Sequence, residues 1–386
     1  MAAMKDLIVL DLASVGPAAR ASRLLADFGM QVIKVAPVRA KGAKQVDPVF
    51  HAYGAGRGMR RMRVDLKAPN GRTLIRHLAS CADVLIESYR PGVAARLGIG
   101  HEELCALNPR LVYCSTSGYG QDGPYAGWVG HDINYQAVSG YLACTALDAD
   151  GIPALPGATI ADGAGGGMHA ALSILAALLE RTHSGQGKYL DVSVTDGMLN
   201  LMSLYVDQFL ATGEETHPGS GVLTGKYAWY GVYAARDGKF VSVGAIEGHF
   251  FRNLCKLLEL EQFADRQYDD SAQGEMREAF RTRFLSRDRD QWVALLAAAD
   301  TCIAPVLSVA EVCSDPHLRA RQNFTSALHP QRGEFEQLAA LLAGSARDTP
   351  QHVVAAPEHT DTNEILRAAA LSEAEITRLR DEGCIE

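Results

Sequence analysis

Short apolar runs alternate with longer amphipathic stretches over the amino-terminal third of the chain. The runs have the length and apolar character of buried strands, and the stretches place apolar residues at the three-to-four-residue spacing of helices. The predicted strands are residues 7–12, 31–35, 83–86 and 111–115, and the predicted helices are 17–28, 70–81 and 92–107. This alternation predicts an α/β fold whose parallel sheet carries helices on both faces and binds ligands at the carboxyl ends of its strands.

The pattern changes after residue 160. Residues 167–179 are apolar on nearly every helical face, which predicts a helix buried inside the fold, and a strand is predicted at 189–194. Asp237-Gly238 then separates two strand-like segments as a tight hairpin turn, and Ser372 with Glu375 forms a capping box before a last helix. We therefore expect three regions, which are a large domain over residues 1–200, a smaller α+β domain over 201–325, and a segment over 326–386 that returns to the large domain.

Composition excludes several classes of protein. A net charge of −8 lacks the cationic face that nucleic acids require, and no apolar stretch reaches the roughly 20 residues that span a bilayer. The eight cysteines include no Cys-x-x-Cys pair, so neither a zinc site nor a disulfide framework is expected. No Gly-x-Gly-x-x-Gly turn follows the first strand, which argues against a dinucleotide cofactor. The amino terminus shows no targeting segment, so we expect a cytoplasmic protein. From the cysteine pattern we also expect that it uses no metal.

Two side chains that can transfer protons lie in glycine-rich surroundings. His131 follows Gly130 in a predicted loop, and Asp162 precedes a run of glycines and the apolar helix. Asp162 is interpreted either as a helix N-cap or as a carboxyl group in a dry substrate cleft walled by the glycines, where burial raises its proton affinity. The two interpretations are compatible. His131 taken alone is more often a surface or core residue, but an imidazole titrates near neutrality and can act as base or acid.

Glu247 is a third candidate, at the end of a predicted strand. It is either a helix-start carboxylate stabilised by the helix dipole or a partner that orients His131.

Basic residues that could bind a ligand occur in two places. Arg57, Arg60, Arg61 and Arg63 lie close together, interleaved with glycines, and Arg90 follows a predicted strand. A solvated loop is the usual explanation for such a cluster, although arginines among glycines also suit a polyphosphate ligand.

Motifs spread along nearly the whole chain resemble the CaiB/BaiF family, also called class III CoA-transferases, and within it the α-methylacyl-CoA racemases. These motifs are Val9-Leu10-Asp11-Leu12, Leu24-Leu25-Ala26-Asp27-Phe28-Gly29, Val64-Asp65-Leu66-Lys67, Tyr89-Arg90-Pro91-Gly92-Val93, Ser117-Gly118-Tyr119-Gly120-Gln121, Gly130-His131-Asp132-Ile133-Asn134-Tyr135, Val243-Gly244-Ala245-Ile246-Glu247 and Glu358-His359-Thr360-Asp361. The resemblance implies a Rossmann-like, CoA-binding large domain, a smaller second domain, and an interlocked homodimer with each active site at the subunit interface.

The resemblance also implies roles for individual residues. Asp162 matches the key carboxylate of the family, a nucleophile in the transferases and a proton-exchanging group in the racemases. His131 matches the second such group of the racemases, which favours epimerisation of a 2-methylacyl-CoA through an enolate. Glu247 would orient His131, Asp132 and Tyr135 would shape the site, and the backbone near Gly163 would hold the enolate oxygen. Coenzyme A would then be part of the substrate, with no separate cofactor, and its implied contacts are Gly58, Arg60, Arg90, Gly118 and Tyr119.

The chain departs from the racemase pattern near the expected nucleotide end of coenzyme A. Ala36-Pro37 replaces an acidic residue and arginine, and Met59 replaces a lysine. Arg39 or Arg61 could substitute for the lost cation. Two alternatives therefore stay open, a CoA-transferase with Asp162 as nucleophile and a non-catalytic protein that binds acyl-CoA.

Overall fold

The computed structural model describes residues 4–13, 16–39, 49–345 and 351–386, which form two compact units. The first unit comprises Met1–Ser139, Gly157–Ser203 and Pro316–Glu386, and the second comprises Gly140–Pro156 and Leu204–Asp315. Residues 140–156, which we assigned to the large domain from the sequence, thus group with the second unit.

Six parallel strands form the centre of the first unit, in the order β3-β2-β1-β4-β5-β6. They are β1 (Ile8–Asp11), β2 (Gln31–Ala36), β3 (Met59–Arg63), β4 (Val84–Glu87), β5 (Val112–Ser117) and β6 (Lys188–Ser193). This is the strand order of doubly wound nucleotide-binding folds, whose ligands lie at the carboxyl ends of the strands where the order reverses. The expected α/β fold class is confirmed.

Helices cover both faces of this sheet. They are α1 (Gly16–Asp27), α2 (Pro69–Cys81), α3 (Val93–Arg96), α4 (His101–Leu107), α5 (Asp132–Val138), a π-helix (Ala161–Met168), α6 (His169–Ser184) and α7 (Val194–Leu201). One core includes apolar residues of α1 and α6, and the other, on the opposite face, includes residues of α2 and α4. Because successive side chains of a strand point to opposite faces, each strand contributes to both cores.

Three of the four clustered arginines, Arg60, Arg61 and Arg63, lie in strand β3 rather than in a solvated loop, and Arg57 precedes the strand. β3 pairs in parallel with β2 along its whole length, and Met62 is fully buried. The dense charge indicated a loop because the sequence close to these arginines shows no partner for them. The groups that allow arginines to lie in an edge strand are distant in sequence.

Helix α6 is only partly buried, which corrects the expectation of a helix enclosed within the fold. Ala170 and Ile174 are fully buried, whereas Leu172 and Leu179 are 69% and 64% exposed. An apolar outer face of this kind marks a surface that another element or another chain covers.

The second unit contains the predicted hairpin, within a three-stranded antiparallel sheet. Its strands are β7 (Tyr230–Ala234), β8 (Phe240–Gly244) and β9 (Ile303–Val306), and its helices are α8 (Ser203–Thr212), α9 (Gly248–Leu257), α10 (Gln273–Phe284), α11 (Arg289–Leu296) and α12 (Val309–Ser314). Gly238 adopts φ 75° in the hairpin turn, as the Asp-Gly pair requires. Trp229 and Trp292 lie in an aromatic core of this unit.

The carboxyl-terminal segment completes the first unit. It contains α13 (Pro316–Ala320), β10 (Phe324–His329), β11 (Gly333–Leu338), β12 (His352–Val353), α14 (Thr362–Ala368) and α15 (Glu373–Asp381). The predicted capping box is present, with Glu375 N–H donating to Ser372 Oγ at 3.3 Å. Ile365 and Ile376 pack into the core that includes α2. Among the described residues, no helix has both the length and the apolar character needed to cross a membrane.

Candidate active site

His131 is the last residue of the loop that we expected, in extended conformation as the N-cap of helix α5. Its backbone N–H donates to Asn134 Oδ1 at 2.9 Å, and Asn134 N–H donates back to the carbonyl of His131 at 2.8 Å. This reciprocal pair fixes the start of the helix because it satisfies N–H groups that have no partner inside the first turn. The His131 side chain is exposed at this fixed position.

Asp162 lies in the first turn of the π-helix and not at a helix N-cap as expected. The π-helix runs directly into α6, so Asp162 stands at the beginning of one long helical segment. Stretches of π-helix are rare and occur frequently at functional sites.

Asp132 connects the two candidate residues. Its Oδ1 accepts the backbone N–H of Asp162 at 2.8 Å, and its Oδ2 accepts from Gln136 Nε2. Because Asp132 follows His131 directly, this bond brings residue 131 close to residue 162. The structure therefore places the two predicted proton-transferring residues in one site of the first unit.

The surroundings of Asp162 favour its neutral form. Burial raises the pKa of its carboxyl group, and the Asp132 carboxylate raises it further. The charges of Arg20 and His131 act in the opposite direction without reversing the shift. A carboxyl group that holds its proton more firmly than usual can donate it as well as accept one.

The glycine run after Asp162 mainly serves helix packing, which corrects its interpretation as the wall of a substrate cleft. A Cβ at Gly166 would lie 2.4 Å from Pro17 Cβ on α1, and a Cβ at Gly167 would lie 2.7 Å from Arg20 Cβ. A Cβ at Gly197 on α7 would lie 1.8 Å from the carbonyl oxygen of Gly165. The absence of these side chains lets three helices approach closely.

Gly163 is the exception, because a Cβ there would meet nothing nearer than Arg20 Nη1 at 3.9 Å. Its backbone N–H, however, donates to the carbonyl of Thr159 at 2.9 Å. That donor is engaged, so the amide of Gly163 itself gives no support to our expectation that backbone amides near Gly163 hold an enolate oxygen.

Arg20 is a site residue that the sequence analysis missed. Its Nη2 donates to Thr159 Oγ1 at 2.5 Å, and its charge lowers the pKa of Asp162. A signal existed in the sequence, since Arg20 is a charged residue flanked by Ala18, Ala19 and Ala21, all three of which are buried.

Tyr135 forms one wall of the candidate site. Its hydroxyl donates to the carbonyl of Gly130 at 2.6 Å, and its ring leaves no room for a side chain at Gly118, where a Cβ would lie 2.3 Å from Tyr135 Cε1. Burial, followed by the Asp162 charge, raises the pKa of Tyr135 to about 12, so its hydroxyl keeps its proton at neutral pH.

Aromatic residues extend this wall toward the surface. The Tyr119 ring meets Tyr135 edge-on at 5.2 Å and Trp128 at 5.9 Å. Trp128 stacks on Tyr125 at 3.9 Å, and both are more than 40% exposed. The sequence analysis named Tyr119 and missed the stacked pair.

Two of the clustered arginines are structural. Arg57 is buried and donates to Asp27 Oδ1 at 3.1 Å and to the carbonyl of Leu338 at 2.8 Å. Arg63 is also buried, and its Nε lies 3.4 Å from Glu386 Oε2. Neither can bind a phosphate without losing these partners.

The remaining basic residues have different surroundings. Arg60 Nη2 donates to Gln31 Oε1 at 3.0 Å. Arg39, which we considered as a substitute cation, donates to the carbonyl of Pro357 at 2.7 Å. Arg90 is exposed just beyond β4, the position where this sheet type binds ligands.

Glu247 belongs to the second unit, where it is the N-cap residue of α9. Its side chain is exposed and makes no capping hydrogen bond. The described residues contain no group of three or more His, Cys, Asp or Glu side chains arranged to hold a metal ion.

Comparison with known proteins identifies the family of this chain. The model of CoA-transferase family III matches residues 4–362. The chain belongs to CoA-transferase family III.

Relatives within CoA-transferase family III include enzymes of two kinds. Alpha-methylacyl-CoA racemase from Homo sapiens is 33% identical, over 100% of this chain and 98% of its own. Succinyl-CoA--D-citramalate CoA-transferase from Chloroflexus aurantiacus is 30% identical, over 86% of this chain and 85% of its own. The crystal structure of a CaiB/BaiF family protein from Brucella suis has a TM-score of 0.75 and 26% identity, covering 94% of this chain and 97% of that one. Family membership thus leaves racemisation and CoA transfer both open, and the choice depends on the site.

Proposed function

We propose that this member of CoA-transferase family III epimerises the α-carbon of a 2-methylacyl-CoA thioester. The observation that carries the proposal is the juxtaposition of His131 and Asp162 through Asp132, whose carboxylate binds the Asp162 backbone at 2.8 Å. Inversion of a carbon centre by proton transfer needs a base on one face and an acid on the other. An imidazole and a carboxyl group of raised pKa match these two roles.

The proposed reaction exchanges one proton for another at the same carbon. One residue removes the α-proton, and the electron pair of the broken C–H bond moves into the thioester carbonyl to give a planar enolate. The other residue then delivers its proton to the opposite face, which restores the carbonyl with inverted configuration. His131 acts as base for one epimer and Asp162 for the other, so each turnover leaves their protonation states exchanged.

The raised pKa of Asp162 suits a residue that acts as acid in one direction of the epimerisation and as base in the other. A transferase requires the carboxylate form of this residue, because the anion attacks the thioester to form an anhydride. Burial and the neighbouring Asp132 charge both disfavour that anion. CoA transfer remains the second candidate, and the transferases among the relatives support it.

We also propose that two copies of the chain pair. The exposed outer face of α6 includes Leu172 and Leu179, and α8 has no buried residue although it carries the exposed Phe209 and Leu210. Apolar faces of this extent are typical of subunit interfaces. In such a dimer, we expect Glu247 to orient the imidazole of His131 and Arg90 to contact the phosphates of coenzyme A.

Deuterium incorporation tests the proposed reaction. Each purified epimer of a 2-methylacyl-CoA is incubated with the protein in deuterated water, with and without an acceptor carboxylic acid. The proposal predicts α-deuteration and inversion without the acceptor. Transfer of CoA only when the acceptor is present, together with hydroxylamine trapping at Asp162, would establish the transferase instead. No reaction of either kind across branched, sterol side-chain and aryl-propionyl thioesters would support a non-catalytic acyl-CoA-binding protein.

A further inference from the structure

Arg20 lies beside the start of the π-helix. Its Nη2 donates to Thr159 Oγ1 at 2.5 Å, and its Nη1 lies 3.9 Å from the position that a Cβ of Gly163 would occupy. Its own Cβ lies 2.7 Å from the Cβ position of Gly167, so the stem of the side chain packs directly on the glycine backbone. This close packing of α1 against the π-helix fixes the base of the side chain, and the guanidinium lies on the side of Gly163.

The proposed reaction places a negative charge on the thioester oxygen when the enolate forms. Backbone N–H groups at a helix start are the usual groups that stabilise such a charge. Here the N–H of Asp162 donates to Asp132 Oδ1, and the N–H of Gly163 donates to the carbonyl of Thr159. These two amides are therefore engaged and cannot bind the oxygen without losing their present partners.

We propose that the guanidinium of Arg20 stabilises the enolate oxygen, which makes Arg20 a third catalytic residue of the epimerisation proposed above. A guanidinium carries five N–H donors in a fixed fork, so one side chain can bind Thr159 and also donate to an oxyanion. The positive charge lies beside Gly163, on the open side of the backbone next to Asp162. Among the described residues, the positive groups that lower the pKa of Asp162 are Arg20 and His131, and His131 is its proposed partner in proton transfer.

A different role for Arg20 must be separated from this one. Its charge lowers the pKa of Asp162, so its removal would raise that pKa even if Arg20 never touched the substrate. An effect confined to Asp162 would move the acid limb of the pH profile to higher pH and leave the plateau unchanged. Loss of enolate stabilisation would lower the plateau itself.

The experiment measures kcat for α-proton exchange against pH in the wild-type protein and in Arg20→Gln and Arg20→Lys. We expect the plateau to fall about 10²- to 10³-fold in Arg20→Gln, the range for losing one oxyanion donor. Arg20→Lys, which keeps the charge without the fork, should fall less. Guanidinium ion added to Arg20→Ala should restore part of the plateau, which a purely structural role would not allow. Arg76→Gln, at an exposed site on α2, is the matched control and should behave as wild type.

The outcomes separate the two proposals. An active wild type whose Arg20→Gln variant keeps the plateau and shifts only its acid limb would overturn the role of Arg20 and leave the epimerisation standing. Failure of the folded wild type to exchange the α-proton of any tested thioester would overturn the epimerisation itself. If Arg20→Gln does not fold, the role of Arg20 is tested by the plateau of Arg20→Lys and by the response of Arg20→Ala to added guanidinium ion. An unchanged plateau in Arg20→Lys, together with no response in a folded Arg20→Ala, contradicts the proposal.

Discussion

Asp132 holds the backbone of Asp162 through a 2.8 Å hydrogen bond from the Asp162 N–H to Asp132 Oδ1. The same carboxylate raises the pKa of the Asp162 side chain. One residue thus fixes the position of the proposed acid and adjusts its proton affinity.

Replacing Asp132 with asparagine separates these two effects. The amide oxygen can still accept the Asp162 N–H, and rotation of the Gln136 amide would turn its oxygen toward the new NH₂ group. The like charge is lost, so the pKa of Asp162 should fall. In the direction where Asp162 is the base, activity requires its carboxylate, so the acid limb of kcat/KM should move to lower pH. A limb that stays in place would show that Asp132 does not influence the titration that controls activity.

Single variants of the two proton-transferring residues should each retain half of the chemistry. Asp162→Asn should abolish inversion but still allow deuterium exchange of the epimer whose α-proton faces His131. His131→Ala should allow exchange of the other epimer only. Proton NMR of each purified epimer in deuterated water measures both reactions, and we expect inversion to fall at least about 10²-fold in each variant. Equal exchange of both epimers by one variant would contradict a two-base mechanism.

Gly118→Ala should displace Tyr135. The new Cβ would lie 2.3 Å from Tyr135 Cε1, so the ring must move and its hydroxyl would lose the bond to the carbonyl of Gly130. Overpacking of this kind lowers the free energy of unfolding by about 1–3 kcal/mol. Gly127→Ala is the control in the same loop, because a Cβ there has no neighbour within 4 Å. Urea denaturation of both variants gives the comparison, and equal midpoints would show that the ring adapts without cost.

Asp27→Asn should destabilise the first unit strongly. The Asp27 carboxylate binds both Arg23 and Arg57, and all three side chains are about nine-tenths buried. Burial and the Arg57 charge already lower the pKa of Arg23 to about 9. Without the carboxylate, two buried cations lose their counter-ion, which costs about 3–5 kcal/mol.

Glu180→Gln provides the contrast for that variant. Its partner Lys188 lies 2.7 Å away, and both side chains are more than half exposed. Water screens such a pair, so the change in the free energy of unfolding should be about 0–1 kcal/mol. Similar losses in the two variants would mean that the Asp27 cluster is hydrated rather than buried.

The periodicity of apolar residues predicted most of the sheet, because the strands of a parallel sheet are buried on both faces and appear as continuous apolar runs. It missed β3, whose arginines depend on distant partners. Asp361, 300 positions along the chain, accepts the N–H of Arg61 at 2.8 Å, and the ion pair of Arg63 involves the last residue of the chain. A local window contains no information about these partners.

The sequence by itself determined which residues carry reactive groups, since His131, Asp132 and Asp162 stand out by their side-chain chemistry and their glycine-rich neighbours. Tertiary structure decided what those neighbours do. Gly166 and Gly167 proved to be contacts for helix α1, the Gly163 amide proved to be engaged, and Arg20 reached the site from the other end of the domain. The sequence shows where a glycine leaves the backbone uncovered and where a side chain is charged. Only packing between segments more than a hundred residues apart decides which atoms contact that backbone and which charge lies beside the reacting carboxyl group.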